Sequence, residues 1–235
     1  MTNTTSLKTE TIEAVSPRLA RYTRETVVGD LWSREVLAPR DRSLVTVAAM
    51  IQRGQTDELA HQIGLALDNG VTATEISETI TQLSFYSGWG NGGAAVRVAA
   101  KIFAERGIDL SQLAQADVEL LPLDEQVEAA RVAIVDGLLG PAFKTLADYT
   151  THVLFRDLWL RPALSPRDRS LVTMTALITA NLSAQIPYHI NKAIDNGMSE
   201  AQVAEVITHL GFYAGWPMAM NAANVAKDVF AKRPG

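Results

Sequence analysis

Apolar side chains recur at helical spacing along this chain, and proline and glycine mark where each run begins and ends. One such stripe follows Pro39 and consists of Leu44, Val45, Ala48 and Ala49. Proline suits the first turn of a helix because that position needs no N–H donor. No run alternates between apolar and polar residues with turn signals on both sides. The pattern therefore predicts an all-α protein.

Glycines and capping boxes indicate where further helices end and begin. We predict one helix from about residue 56 to residue 69, ended by Gly70, and a counterpart from about residue 183 to residue 196, ended by Gly197. After each comes a hydroxyl residue with an acid or amide three positions later, and the two side chains satisfy each other's free N–H groups. These capping boxes are Thr72 with Glu75 and Ser199 with Gln202.

The whole pattern occurs twice. Residues 39–46 return unchanged as residues 166–173, an offset of 127 positions. The same offset pairs all four tryptophans and the glycines that end the helices. We therefore predict two similar units, residues 11–107 and residues 125–235, joined by a polar linker at residues 108–124.

Composition narrows the class of protein. Hydrophobic residues make up 47% of the chain, enough for a large core, and the net charge of −5 is unlike the basic surface that binds nucleic acid. No stretch reaches the ~20 apolar residues of a membrane span, and residues 1–10, a polar tail, lack the apolar core of a secretory signal. We expect a cytoplasmic protein that binds neither nucleic acid nor membrane. The absence of cysteine excludes thiol catalysis and disulfides.

The candidate catalytic groups lie on the helix that ends at Gly70 in the first unit and on the helix that ends at Gly197 in the second. In each unit a carboxylate or amide stands four residues before an amide or imidazole, on one helix face. A carboxylate beside an imidazole would form an acid–base pair, but each unit keeps only one of the two. A lone helical histidine is also common as a structural residue, and an acid also suits a helix N-terminus. The first unit has Glu58, His61 and Gln62, and the second has Gln185, Tyr188 and His189.

A second candidate is the Gly-Trp element that closes the third helix of each unit. In the second unit Pro217 bends the chain beside Trp216, because proline removes a hydrogen-bond donor. Asn221 follows four residues later. The bend would shape a pocket with an aromatic wall and one hydroxyl, from Tyr213 here or from Tyr86 in the first unit. The same aromatic residues would serve equally well as core packing.

An Arg-Asp-Arg triplet opens a helix in each unit, at residues 40–42 and 167–169. The aspartate suits the helix dipole, and the arginines suit ion pairs with neighbouring elements. Anion binding is the alternative, because arginine holds a carboxylate through two parallel hydrogen bonds. No two histidines lie at ligand spacing on one helix, so we expect no metal.

Taken in order, these motifs resemble the carboxymuconolactone decarboxylase family, which is related to the alkylhydroperoxidase D-like proteins. The resemblance rests first on the repeated block Pro-Arg-Asp-Arg-Ser-Leu-Val-Thr. It rests also on a short helix that contains His189 and is followed by Ala-Ile-Asp-Asn-Gly-Met-Ser at 193–199. It also rests on Phe-Tyr-Ala-Gly-Trp-Pro at 212–217 with a downstream Asn-Ala. It covers nearly the whole chain, as two copies of a unit that usually stands alone.

The resemblance implies two tandem alkylhydroperoxidase D-like helical units and a ring assembly, here a homotrimer resembling a hexamer of single units. It implies a lyase of aromatic-compound catabolism that decarboxylates a small carboxylated lactone or β-keto acid, of the 4-carboxymuconolactone type, without a cofactor. The related peroxidase branch places a CxxC pair before a histidine. His189 and Gln62 occupy that histidine position, and Glu58 and Gln185 stand at the second cysteine. Without cysteine, thiol peroxidase activity is excluded.

The expected site therefore centres on His189 as acid or donor. Glu58 would complete a composite site from the other unit or from a neighbouring subunit. Tyr213 and Asn221 would orient the substrate carbonyl, and Trp216 would form a wall. Two alternatives stay open: a non-catalytic small-molecule-binding or scaffold protein left by duplication, and hydrolysis or isomerisation of a lactone. The remaining candidate substrate contacts are Gln185, His61 and Gln62.

Overall fold

The computed structural model describes residues 9–233, and all the regular elements in that range are helical. The all-α prediction is therefore confirmed. Of the predicted N-terminal tail, residues 1–8 lie outside the described residues, whereas Thr9 and Glu10 open the first helix. Within the described range, no helix combines the length and apolar character needed to cross a membrane.

Within residues 9–233, each unit contributes six α-helices. In the first unit they are α1 (Thr9–Val15), α2 (Pro17–Tyr22), α3 (Pro39–Arg53), α4 (Thr56–Asp68), α5 (Ala73–Ser87) and α6 (Trp89–Glu105). In the second unit they are α7 (Glu125–Leu139), α8 (Lys144–Tyr149), α9 (Pro166–Thr179), α10 (Ile186–Asp195), α11 (Glu200–Tyr213) and α12 (Trp216–Phe230). One π-helical turn follows α2 at Thr23–Val28, and another follows α8 at Thr150–Phe155.

Most of the predicted helix ends are confirmed, and the start of α10 is the exception. Both capping boxes form, and Ser165 caps α9 by accepting from the backbone N–H of Asp168. α3 ends at Gly54 in the left-handed region, with φ of 64°, and the counterpart Asn181 takes φ of 59°. Asparagine tolerates this conformation better than most side chains. α10 begins at Ile186, later than predicted, because the chain first turns at Asn181 and then places Pro187 in the first turn.

The two units are interleaved rather than side by side. α3 packs against α9, α5 of the first unit packs against α9, and α11 of the second unit packs against α3. Their buried apolar residues form one continuous core that draws on both units. α5 of the first unit thus supports α9 of the second, and α11 of the second supports α3 of the first.

Buried ion pairs cross this interleaved contact. The guanidinium of Arg42 is fully buried and donates from Nη2 to Glu205 Oε1 at 2.7 Å, and Arg34 binds the same carboxylate. The hydrogen bond from Arg34 holds the pKa of Glu205 below its usual range, against the opposing effect of burial. The counterpart Arg169, also fully buried, donates to Glu78 Oε2 at 2.6 Å. A buried guanidinium needs such a partner, because an unpaired charge in the interior is costly.

The other two members of each triplet exchange partners as well. Arg40 of the first unit donates from Nη2 to Asp168 at 2.8 Å, and Arg167 of the second unit binds Asp41. Both aspartates are buried. The ion-pair interpretation of the repeated Arg-Asp-Arg is therefore confirmed.

One residue beside these ion pairs differs between the units. Gln82 donates from Nε2 to Thr173 at 3.0 Å and accepts from Arg169 Nη1 at 3.0 Å. The offset of 127 places His209 at the matching position of the second unit. An imidazole cannot reproduce both bonds of an amide, because a neutral ring has one donor and one acceptor at fixed positions.

His209 is fully buried and lies 2.8 Å from Thr46 through Nε2. The Thr46 hydroxyl donates to the carbonyl of Arg42, so the proton between the two side chains belongs to His209 Nε2. His209 Nδ1 and Arg42 Nη1 are then both buried without a partner. Burial, reinforced by the charge of Arg42, lowers the pKa of His209 to about 3.

We expect Glu78→Gln to lower the free energy of unfolding by about 3–5 kcal/mol, because it leaves the buried guanidinium of Arg169 without its counterion. Urea unfolding followed by circular dichroism measures the change. Glu200→Gln, on the exposed first turn of α11, is the matched control and should change the free energy by less than about 1 kcal/mol. Equal effects of the two substitutions would contradict the role assigned to the ion pair.

We expect His209→Gln to raise the free energy of unfolding by about 1 kcal/mol at neutral pH, because an amide oxygen would give Arg42 Nη1 the acceptor that Gln82 gives Arg169. It should also reduce acid sensitivity. The pKa of this imidazole is about 3 in the folded protein against an ordinary 6.5. Between these values the unfolded chain binds more protons, so stability falls as pH falls.

Urea unfolding of the parent protein and of His209→Gln, at neutral pH and at a mildly acid pH inside that window, tests both effects. The variant should be the more stable protein at each pH, and the difference should widen on acidification. A difference that is unchanged or smaller at the lower pH would count against the assigned titration.

Candidate active site

His189 lies at the centre of a cluster of aromatic side chains from both units. It sits in the second turn of α10 and is only 7% exposed. Its ring meets Tyr86 edge-on at a centroid distance of 5.5 Å and stacks on Trp159 at 6.1 Å. Tyr86 belongs to α5 of the first unit, so the interleaving of the units brings it here. Tyr188 adds an edge contact from the half-exposed side.

The imidazole of His189 is neutral in the unliganded protein. Burial, together with the charge of Lys192, lowers its pKa to about 4. Its Nδ1 is buried and has no hydrogen-bond partner in the part of the chain that the structure describes. Buried polar atoms are rarely left unsatisfied unless a site uses them. A neutral imidazole of this kind can donate one hydrogen bond and accept another.

Tyr86 presents an unengaged hydroxyl proton beside this imidazole. Trp159 donates from Nε1 to the Tyr86 hydroxyl oxygen at 2.9 Å, which occupies a lone pair and leaves the proton free to donate elsewhere. Within the described part of the chain, no acceptor takes that proton. Burial raises the pKa of Tyr86, so the hydroxyl stays protonated. The site therefore holds two neutral donors next to each other.

Two cationic side chains lie against the aromatic wall of this site, and one of them, Arg131, is paired with Glu128. Phe155 stacks on Trp159 at 5.9 Å and lies beneath the guanidinium of Arg131 at 4.3 Å. Lys192, one turn after His189 on α10, places its ammonium 4.7 Å from the centre of the Trp159 ring. Cations are attracted to the faces of aromatic rings. An anionic ligand would enter a favourable potential here.

The first unit carries the equivalent site with different chemistry. There Trp32 donates to the Tyr213 hydroxyl at 2.8 Å, and Tyr213 lines a cavity of about 490 Å³ together with Glu58 and Phe212. Gln62, the counterpart of His189, donates to Glu58 at 2.9 Å. This site has a carboxylate and an amide where the second has an amide and an imidazole.

Within one chain, the structure does not bring Glu58 or Tyr213 to His189. Glu58 and Tyr213 lie together in the first-unit site, whereas His189 lies with Tyr86 in the second. The tyrosines differ from the expectation because α5 and α11 pack against the opposite unit, so the tyrosine of each helix belongs to the site of that unit. Gln185 does lie near His189 in sequence, exposed at the N-cap of α10.

Three other candidate residues lie apart from His189. Trp216 is 59% exposed and packs edge-on against Phe212, so it does not wall the His189 cluster. Asn221 donates to the side chain of Asn181 at the exposed end of α9. His61 lines a separate surface depression between α4 and α6.

Sequence reasoning missed Trp159, Lys192 and the role of Tyr86 beside His189. Comparison of the two copies could have identified Lys192, because the residue at the matching position of the first unit is the apolar Leu65. No sequence signal pairs Tyr86 with His189, because that contact depends on how the units interleave.

A family model described as the Carboxymuconolactone decarboxylase family matches the chain twice, at residues 17–101 and at residues 144–228. The 4-carboxymuconolactone decarboxylase of Acinetobacter baylyi is 39% identical over 80 residues, which cover 34% of this chain and 60% of that relative. The nitrosuccinic acid decarboxylase of Metarhizium robertsii is 31% identical over 77 residues, which cover 33% of this chain and 54% of that relative. The chain thus spans little more than half the length of these relatives.

A solved structure has the same fold. It is that of a proposed gamma-carboxymuconolactone decarboxylase subunit from Burkholderia xenovorans LB400, with a TM-score of 0.56 and 19% identity. The superposition covers 95% of this chain and 91% of that one. The two family segments and the internal repeat agree, and the chain belongs to the carboxymuconolactone decarboxylase family as a tandem pair of units.

Proposed function

We propose that the second-unit site catalyses decarboxylation, without a cofactor, of a small carboxylated lactone or β-keto-acid-like substrate of the 4-carboxymuconolactone type. The observation that carries the proposal is the pair of neutral donors, His189 and Tyr86, buried against an aromatic wall. The names of two relatives support it, since both are described as decarboxylases.

In such a reaction the bond between the carboxylate carbon and its neighbour breaks. Carbon dioxide leaves, and the electron pair of the broken bond moves into the conjugated carbonyl group. That group becomes an enolate with the negative charge on its oxygen. Hydrogen bonds from Tyr86 and His189 to that oxygen stabilise the developing charge, because donors fixed in a low-dielectric site need little reorganisation. The aromatic wall formed by Trp159 and Phe155 favours loss of the leaving carboxylate, which it solvates poorly.

The carbon must finally receive a proton. Because the pKa of His189 is about 4, its imidazole is neutral at pH 7. It can donate a hydrogen bond, but it carries no second proton to transfer to carbon. A bound carboxylate changes this, because a nearby negative charge favours the imidazolium and raises the pKa of His189. His189 can therefore bind substrate together with a proton and deliver it to the carbon after carbon dioxide leaves. This transfer leaves His189 as the neutral imidazole of the resting state, so each turnover consumes the one proton that was taken up from solvent with the substrate.

We expect His189→Gln to reduce turnover by about 100-fold or more, because it removes the proton donor and makes the position like Gln62 of the first unit. Carbon dioxide release from 4-carboxymuconolactone, from β-keto acids and from nitrosuccinate provides the assay. His152→Gln, at an exposed histidine, is the control and should leave turnover unchanged.

Nuclear magnetic resonance of the same mixtures separates decarboxylation from ring opening or isomerisation of a lactone. A variant that kept full turnover would contradict the assignment of His189. Thermal stabilisation by these compounds without carbon dioxide release would indicate a binding protein instead.

The repeat provides a matched control for a substitution of Tyr86, because Tyr213 is its counterpart in the other unit. We expect Tyr86→Phe to lower kcat by about 100-fold, because it removes one donor to the enolate oxygen. Tyr213→Phe deletes the same hydroxyl from the first-unit site and should leave kcat nearly unchanged. Steady-state kinetics on both variants tests the assignment. The reverse order of effects would place the chemistry in the first unit.

A further inference from the structure

Lys192 carries a charge that the protein itself does not neutralise. Its side chain is partly buried on α10, one turn after His189, with its ammonium over the Trp159 ring at 4.7 Å and near Phe155 at 5.8 Å. Within residues 9–233 no carboxylate lies within ion-pair distance of it. A partly desolvated ammonium without a counterion is less favourable than a fully hydrated one, and an anionic ligand would compensate for the lost hydration.

The acidic groups nearest to Lys192 are already engaged elsewhere. Glu128 holds Arg131 through two bonds of 2.7 and 2.8 Å, and Asp195 accepts from Arg233 at 2.8 Å. Arg131 itself is buried and neutralised by Glu128, and its Nη1 has no hydrogen-bond partner among the described residues. Lys192 is therefore the cation of this wall whose charge an incoming anion would balance.

We propose that Lys192 binds a substrate carboxylate other than the one that leaves, so that this site selects dicarboxylates. The geometry places the ammonium at the edge of the same aromatic wall that faces His189. The choice of carboxylate rests on the proposed function, because a salt bridge to the leaving group would stabilise the substrate more than the transition state. A charge held on the staying carboxylate instead contributes binding and orientation.

The first unit lacks this feature. The counterpart of Lys192 is Leu65, which is buried, and the cavity there carries the carboxylate of Glu58. Like charges repel, so a dianion is disfavoured in that cavity. The chain should therefore bind a dicarboxylate at one site only, in the second unit.

Calorimetric titration with succinate, a short dicarboxylate with no bond activated for decarboxylation, tests the proposal. We expect one succinate per parent chain. We expect Lys192→Met to weaken binding roughly tenfold to 100-fold, as for loss of a hydrogen bond to a charged group. Lys192→Arg should retain much of the affinity. Lys227→Met, on the exposed face of α12, is the matched control, and succinamide should not bind comparably.

Circular dichroism and the unfolding midpoint establish that each variant is folded, and Lys192→Met should be at least as stable as the parent because it removes an unpaired charge. Unchanged succinate affinity in Lys192→Met would overturn the proposal, as would the absence of saturable binding to the parent. For a true substrate, Lys192→Met should raise KM much more than it lowers kcat. Lys192-dependent succinate binding without any decarboxylation would uphold the anion site and refute the proposed reaction.

Discussion

The reciprocal ion pairs between buried arginines and glutamates of opposite units organise this molecule. Arg42 and Arg169 are fully buried, and each is paired with a carboxylate of the other unit, Glu205 on α11 or Glu78 on α5. A buried guanidinium without a counterion would cost several kcal/mol, so the interleaved arrangement is the one in which both charges are satisfied. Neither unit could bury its own arginine in this way by itself.

The contact between the two units also positions the residues of the candidate active site. Glu78, Gln82 and Tyr86 follow one another at intervals of four residues and therefore lie along one face of α5. Glu78 and Gln82 bind Arg169, which fixes the rotation and height of the helix. Tyr86, one turn further on, is then held against Trp159 and His189. The ion pair that joins the units is thus also the element that delivers a hydroxyl to the opposite site.

Local features of this fold could be predicted from sequence, and the site could be predicted only in part. Proline at the start of α3, the capping box at Thr72 and the glycine after α4 act within a few residues, so their effect can be recognised directly. The exchange of α5 and α11 is a tertiary choice that no local pattern encodes. His189 was identified because its chemistry is intrinsic, whereas its partner Tyr86 was assigned to the wrong unit.

Duplication within one chain has a consequence for how the two sites diverge. Because each site takes its imidazole or amide from one unit and its tyrosine from the other, the helices that carry the ion pairs are constrained by both sites at once. The α4 and α10 positions belong to one site each, and the copies differ there at Gln62 against His189 and at Leu65 against Lys192. The helices that carry the ion pairs differ as well, at Gln82 against His209. The helices that carry the ion pairs thus hold both sites in position. A residue on α4 or α10 changes the charge or the proton donor of one site and leaves the other site unchanged.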